Sequence, residues 1–166
     1  MIIKKILKII CLILINNFLS TTRFFSLKRT LLTLSGLSIG KNTKVVGPIS
    51  IGTCATLIIG DNCWIGKNLS VHGNGTVNIG NNCDLAPDVT FVTGSHEIGE
   101  EDRRAGLGIA FDIKVEDGCW IGVKSTIVGN TVIGKGVIIG ACSLVNKNVV
   151  PNVVIAGVPA RELKKL

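Results

Sequence analysis

The stretch VEDGCW-IGVKST-IVGNTV-IGKGVI-IGACSL-VNKNVV, residues 115–150, decides the fold. Each six-residue frame opens on an aliphatic residue, and three of them continue with glycine. Such a period is that of a parallel β-helix: three short strands and their turns make one triangular coil. Stacked coils then bring the first residue of every frame into a shared interior column. Each Ile or Val buried there contributes roughly 1.5–3 kcal/mol.

Upstream the same frame continues with two more residues per round, in twenty-residue blocks that begin at Ile39, Ile59 and Ile79. The fifth frame position also turns toward the narrow interior, which favours small side chains. It holds Thr43, Cys63, Cys83, Cys119, Ser125 and Ser143. The cysteines there are expected to be small core residues. With the others at 11, 54 and 142, no pair has the CxxC spacing of a zinc ribbon or redox motif, and a chain with its own aliphatic core needs no disulfide scaffold.

One stretch breaks the frame. Counting on from Phe91, the next inward slots fall on Glu97, Arg103 and Ile109, and an apolar core does not hold the first two unpaired. Residues 94–112 are therefore expected to leave the coil as a loop, and a loop of this length in a compact repeat protein is usually functional. It carries His96, one of two histidines in the chain.

Composition agrees with this reading. The 166 residues are 46% hydrophobic and 17% charged, with 20 glycines and no tyrosine, which excludes disorder. The net charge of +7 is uneven. Residues 1–32 hold six basic residues and no acidic one, while the other 134 hold twelve against eleven. A body so nearly neutral, without a basic face interleaved with aromatics, argues against nucleic-acid binding.

The division expected is a basic, apolar helical segment over 1–32 and a β-helix over 33–166. In the first, the longest uncharged run is fourteen residues, Ile9 to Thr22, short of a membrane span. On a helical wheel Lys4, Lys5, Lys8, Asn16 and Arg23 face away from Ile3, Ile6, Ile10, Ile13 and Leu14. This fits a helix in a membrane interface, its lysines drawn to anionic lipid. A helix packed on a neighbouring subunit and a secretory signal peptide are the alternatives, the last disfavoured by the cations after the apolar run.

From Ile59 to the tail, the chain resembles the left-handed β-helix, hexapeptide-repeat acyltransferases. LAPDVTFVTGSHEIG (85–99), GCWIG (118–122) and IIGACSLVNKNVVPNVVIAGVPAR (138–161) are similar to the galactoside and maltose O-acetyltransferase branch and to surface-polysaccharide O-acetyltransferases. The resemblance implies an all-β, left-handed parallel β-helix that moves acetyl from acetyl-CoA to a sugar hydroxyl, in bacterial O-antigen or capsule synthesis. It also implies a homotrimer with sites between subunits, no metal, and a cytoplasmic enzyme, which the basic, apolar leader would hold at the inner face of the membrane.

Site residues follow from the same resemblance. His96 is the general base, and the Val123 backbone N–H stabilises the oxyanion. Proton removal by a neutral imidazole contributes about 10²–10⁴-fold. Glu97 either orients His96 or is a solvated loop charge. Coenzyme contacts fall on Trp120, Gly122, Ala141, Asn146, Lys147, Arg161 and Lys164, although Trp120 also reads as packing at the coil edge. Acceptor contacts fall on Asn68 and Asp88, and Arg103 and Arg104 in the loop either bind an anionic group of the substrate or hold neighbouring Asp and Glu. The galactoside branch has an acceptor-binding Asn where this chain has Gly66, which puts galactoside specificity in doubt. His72 resembles the catalytic position of the serine acetyltransferases, but Val71 precedes it where that family has Asp, so His96 is preferred. Serine or nucleotide-sugar amine acetylation and a non-catalytic structural β-helix are the rival functions. A zinc hydratase of this fold needs three histidines at one site.

Overall fold

The computed structural model describes the backbone of residues 2–166 and the side chains from Lys5 onward. The repeat folds as a parallel β-solenoid of about six turns with three flat faces. Strands Ser38–Ile39, Thr56–Ile59, Thr76–Ile79, Asp112–Val115 and Thr131–Ile133 stack on the first face. The second holds Lys44–Val45, Trp64–Ile65, Asp84–Leu85, Trp120–Ile121, Ile138–Ile139 and Val153–Gly157, with Ala160–Lys165 folded back antiparallel on the last of these. The third holds Ile49–Ile51, Leu69–Gly73, Thr90–Ile98, Thr126–Val128 and Leu144–Val145.

The frame accounts for this register. Val45, Ile65, Leu85, Ile121, Ile139 and Ile155 pair coil to coil as one buried column. Ile51, Val71, Phe91, Ile127 and Val145 make the second column, and Ile59, Ile79, Val115 and Ile133 the third. The small fifth-position residues named above are all buried as well. At the corner between first and second faces the Cys83 Sγ donates to the Glu116 carbonyl at 3.2 Å and the Cys119 Sγ to that of Gly134 at 3.2 Å. The hydrogen bond with Cys119, with burial adding, pushes the Cys83 thiol up to about 11, so it stays an unreactive thiol.

The break at 94–112 is more ordered than an irregular loop. Strand Thr90–Ile98 runs on past the coil and pairs antiparallel with Ala105–Ala110, so the extruded segment is a β-hairpin.

The N-terminal segment departs further from expectation. It contains two helices, α1 (Ile2–Phe18) and α2 (Phe25–Leu34), and its polar face points inward. A first coil leaves three strand edges open, and bare edges invite aggregation. Helix α1 covers the third-face edge, and α2 those of the other two. The Asn16 amide imitates a strand: its Nδ2 donates to the Ile49 carbonyl at 2.8 Å and its Oδ1 accepts from the Ile49 N–H at 2.9 Å. Lys8 Nζ donates to the carbonyls of Gly52 and Ala55, both at 2.8 Å. The lysine face expected to meet lipid thus caps the solenoid, while Ile6, Ile9, Ile10 and Ile13 stand in solvent at 47–51% exposure. The side chains of Ile3 and Lys4 lie outside the described residues.

Candidate active site

Both histidines line one cavity of about 420 Å³ at the corner between the third and first faces. Strand geometry explains the meeting. His72 is in register with Val92, and alternation along the strand puts Val92, Gly94 and His96 on one face. Gly94 leaves the floor open between them, since a Cβ there would lie 3.2 Å from the Gly73 Cα. Thr93, fully buried, locks the hairpin root: its Oγ1 donates to the His72 carbonyl at 2.9 Å and accepts from the Gly75 N–H at 3.1 Å. The preference for His96 over His72 therefore does not separate two places. Sequence reasoning missed that shared cavity. The available signal was that His72 and Val92 both follow the first position of their frames on the third face.

Glu97, next along the strand, points to the opposite face from His96 and does not line the cavity. Arg103 and Arg104 sit at the hairpin tip, also off the cavity. Arg104 Nη1 donates to the Gly99 carbonyl at 3.2 Å, across the tip, and Arg103 stays exposed.

A second corner, between the second and third faces, collects a different set. Asn68 and Asp88 stack there on adjacent coils, with Asn68 Nδ2 donating to Asp88 Oδ1 at 2.7 Å. The Gly122–Lys124 turn lies one coil above, and the Cys142 N–H donating to the Val123 carbonyl at 2.8 Å places Ala141 one coil further. The Val123 N–H makes no hydrogen bond among the described residues, whereas its neighbours Gly122 and Lys124 donate to Ile139 and Pro87. Pro87 occupies the place of Val123 one coil below, between Ala86 and Asp88, so this turn position needs no N–H to form.

At the C-terminal end a third cavity of about 390 Å³ gathers Asn146, Lys147 and Arg161. Val149, Val153 and Ala160 give it an apolar floor, and Glu162 sets one carboxylate in the wall beside the two cations. Lys164 lies on the same returning strand, opposite Val154, but outside this cavity. Trp120 is 56% exposed on the second face, at the coil edge.

The two histidines and Asn146–Lys147 thus occupy one end of the third face, and Asn68, Asp88, Val123 and Ala141 the other. Four residues of strand, about 13 Å, separate the two corners. One chain alone does not bring a base at the first corner to a free N–H at the second.

The sequence family described as bacterial transferase hexapeptide (six repeats) matches residues 112–147. The galactoside O-acetyltransferase of Escherichia coli strain K12 is 35% identical over 129 residues, 78% of this chain and 64% of that protein. The chain spans 40–64% of the length of the first curated relatives it matches. Among solved structures, a hexapeptide-repeat-containing acetyltransferase from Vibrio cholerae O1 biovar eltor, complexed with acetyl-coenzyme A, superposes with a TM-score of 0.86. It is 27% identical, over 98% of this chain and 87% of that one. A polySia specific acetyltransferase is 30% identical with a TM-score of 0.65, over 75% of this chain and 59% of that one.

Proposed function

This chain carries a hexapeptide-repeat transferase domain, and from that premise we propose that it transfers acetyl from acetyl-CoA to a sugar hydroxyl, with His96 as the base. The observation that carries the reading is His96 itself, held at the root of a rigid hairpin beside an open cavity. Its imidazole takes the acceptor's hydroxyl proton as the oxygen attacks the thioester carbonyl carbon. The Val123 N–H holds the resulting oxyanion, a donor already in place before charge develops. Collapse breaks the C–S bond, and the departing thiolate of CoA takes the proton back from the imidazolium.

Donor binding falls to the C-terminal cavity, where Lys147 and Arg161 suit phosphates and the guanidinium adds a planar two-point contact. Ala141 and Gly122 keep a corner low enough for the pantetheine arm, beside the exposed Trp120. The likeness to a structure that holds acetyl-coenzyme A supports this assignment. A glycan as acceptor is supported by the likeness to the polySia specific acetyltransferase, and we assign the enzyme to surface-polysaccharide synthesis.

The two separated corners support a homotrimer, in which His96 of one subunit faces Val123 and Ala141 of the next. Asn68 and Asp88 then reach the acceptor from that neighbour. The apolar outer face of α1 supports docking at the inner surface of the membrane, by burial of Ile9 and Ile13 rather than by the lysines.

The test is labelled acetyl-CoA with a panel of sugars and glycans, alongside serine. Transfer to a glycan is expected; transfer to serine alone overturns the reading. Complementation checks the two-subunit site. Val123→Pro deletes the N–H at a turn position that Pro87 already tolerates one coil below, and His96→Ala removes the base. Each variant alone is expected to be nearly inactive, and co-refolded mixtures to recover activity. A mixture no better than either parent contradicts a site built from two chains.

A further inference from the structure

We propose that a cavity between α2 and the first coil binds a phosphate-bearing anion, held by Arg29 and Lys44. The charge distribution leads there. Residues 1–60 hold eight Lys and Arg and no Asp or Glu, the first acid being Asp61. The cap and first coil are therefore uniformly positive, on a protein whose remainder carries ten basic against eleven acidic residues.

The cavity, about 500 Å³, is walled by Phe25, Ser26 and Arg29 of α2 and by Asn42, Thr43 and Lys44 of the first coil. The Phe25 ring gathers cations: Lys28 Nζ lies 4.7 Å and Lys44 Nζ 6.0 Å from its centroid. Lys28 is fully buried, its Nζ spent on the Thr21 carbonyl at 2.6 Å, and burial lowers its pKa. Among the described residues the one ion pair within 4.0 Å is Lys114–Glu116, far along the solenoid, so neither Arg29 nor Lys44 has a carboxylate partner. The nearest acids along the chain and the face are otherwise placed. Asp61 accepts the Lys41 N–H, and Asp84 stands two strands above Lys44, about 9.6 Å away.

The lining leaves a particular set of donors free. Thr43 Oγ1 donates to the Gly60 carbonyl and Asn42 Nδ2 to Asn62, which leaves the Arg29 guanidinium, the Lys44 ammonium and the Ser26 hydroxyl. Helix α2 begins here with no side-chain cap and no acid in its first turn, so its positive end adds to the same field. A planar fork and a point charge on two separate elements suit the tetrahedral, multiply charged oxygens of phosphate. The volume exceeds one phosphate, leaving room for the group that carries it. A soluble phosphate ester and a lipid headgroup share this chemistry.

The experiment uses the full chain with Lys147→Ala and Arg161→Ala in place, so that phosphates at the donor cavity do not contribute. Inorganic pyrophosphate is expected to raise the melting temperature in a saturable way. Arg29→Gln with Lys44→Gln is expected to weaken the apparent affinity at least about tenfold, and Arg29→Lys with Lys44→Arg to keep part of it. Sedimentation with phosphatidylglycerol vesicles against phosphatidylcholine ones separates the sources. Selective binding lost in the Gln pair marks a headgroup, and pyrophosphate protection without vesicle binding marks a soluble ester. No protection, or protection unchanged in the Gln pair, overturns the proposal. So does dissociation of the oligomer in the Gln pair without any pyrophosphate effect, since the cations then serve a second copy.

Discussion

The inverted orientation of α1 makes a prediction opposite to the one its amphipathic pattern invites. Lys8 is 5% exposed and gives its ammonium to two carbonyls of the first coil at 2.8 Å. Lys8→Met keeps the stem and removes both bonds. Two charge-assisted hydrogen bonds are together worth about 3–6 kcal/mol, against which the variant recovers the cost of burying the ammonium. The expected net loss is about 2 kcal/mol, or roughly 4–8 °C in melting temperature for a chain of this size. Ile9→Lys, a charge placed on the apolar face, is expected to change stability by less than about 0.5 kcal/mol, because Ile9 is 47% exposed.

Urea and thermal unfolding at fixed protein concentration measure both. Burial lowers the Lys8 pKa below its ordinary 10.5, partly offset by the charge of Cys54. Between the folded pKa and 10.5 the unfolded chain binds more protons, so native stability rises with pH in that window. The neutral amine still donates, so the gap between wild type and Lys8→Met should widen on going from pH 8 to 10. A Lys8→Met protein within 0.5 kcal/mol of wild type, or an Ile9→Lys protein weakened by more than about 1 kcal/mol, would refute the capping argument.

Three further outcomes are expected. Ile121→Ala, at the centre of a column and fully buried, should cost about 2–5 kcal/mol by urea unfolding, and Ile121→Val under about 1.5. His96→Ala should lower kcat by about 10²-fold or more while leaving the KM for acetyl-CoA within about twofold, followed by release of the CoA thiol. Lys147→Ala with Arg161→Ala should raise the KM for acetyl-CoA about tenfold or more at unchanged kcat, each charged contact to phosphate contributing on that scale.

The interior was legible because one residue per frame faces it and nothing else satisfies a narrow apolar prism. Ile121 and Ile139 are set by that rule before any contact is known. The break at Glu97 was legible for the same reason, through charge in an apolar slot. The hairpin was not, because GSHEIGEEDRRAGLGIAFD carries no alternating pattern that distinguishes a paired ribbon from a loop. The orientation of α1 was missed since a helical wheel gives two faces without saying which one turns inward. Only the open edge of Ile49–Ile51 settles it, by demanding polar partners. The choice left open for Glu97, orienting His96 or solvated loop charge, needed the strand, on which adjacent residues point to opposite faces.

The frame also explains why site and core hardly overlap. Val123, Ala141 and Lys147 occupy the third position of their frames, Asn68 and Asp88 the fourth, and His72 and Asn146 the second, while the buried columns use the first and fifth. The proposed chemistry therefore falls to slots that the core leaves to solvent, at corners where turns already expose backbone. Such a scaffold exchanges acceptor and donor contacts without disturbing its packing, and the hairpin, which lies outside the frame altogether, is the freest part. Thr93 is the exception. It is buried like a core residue, yet its hydroxyl joins the His72 carbonyl to the Gly75 N–H. The position of His96 relative to the coil rests on those two buried contacts together with the backbone pairing of the hairpin, so Thr93 is where stability and the proposed activity would be tied together.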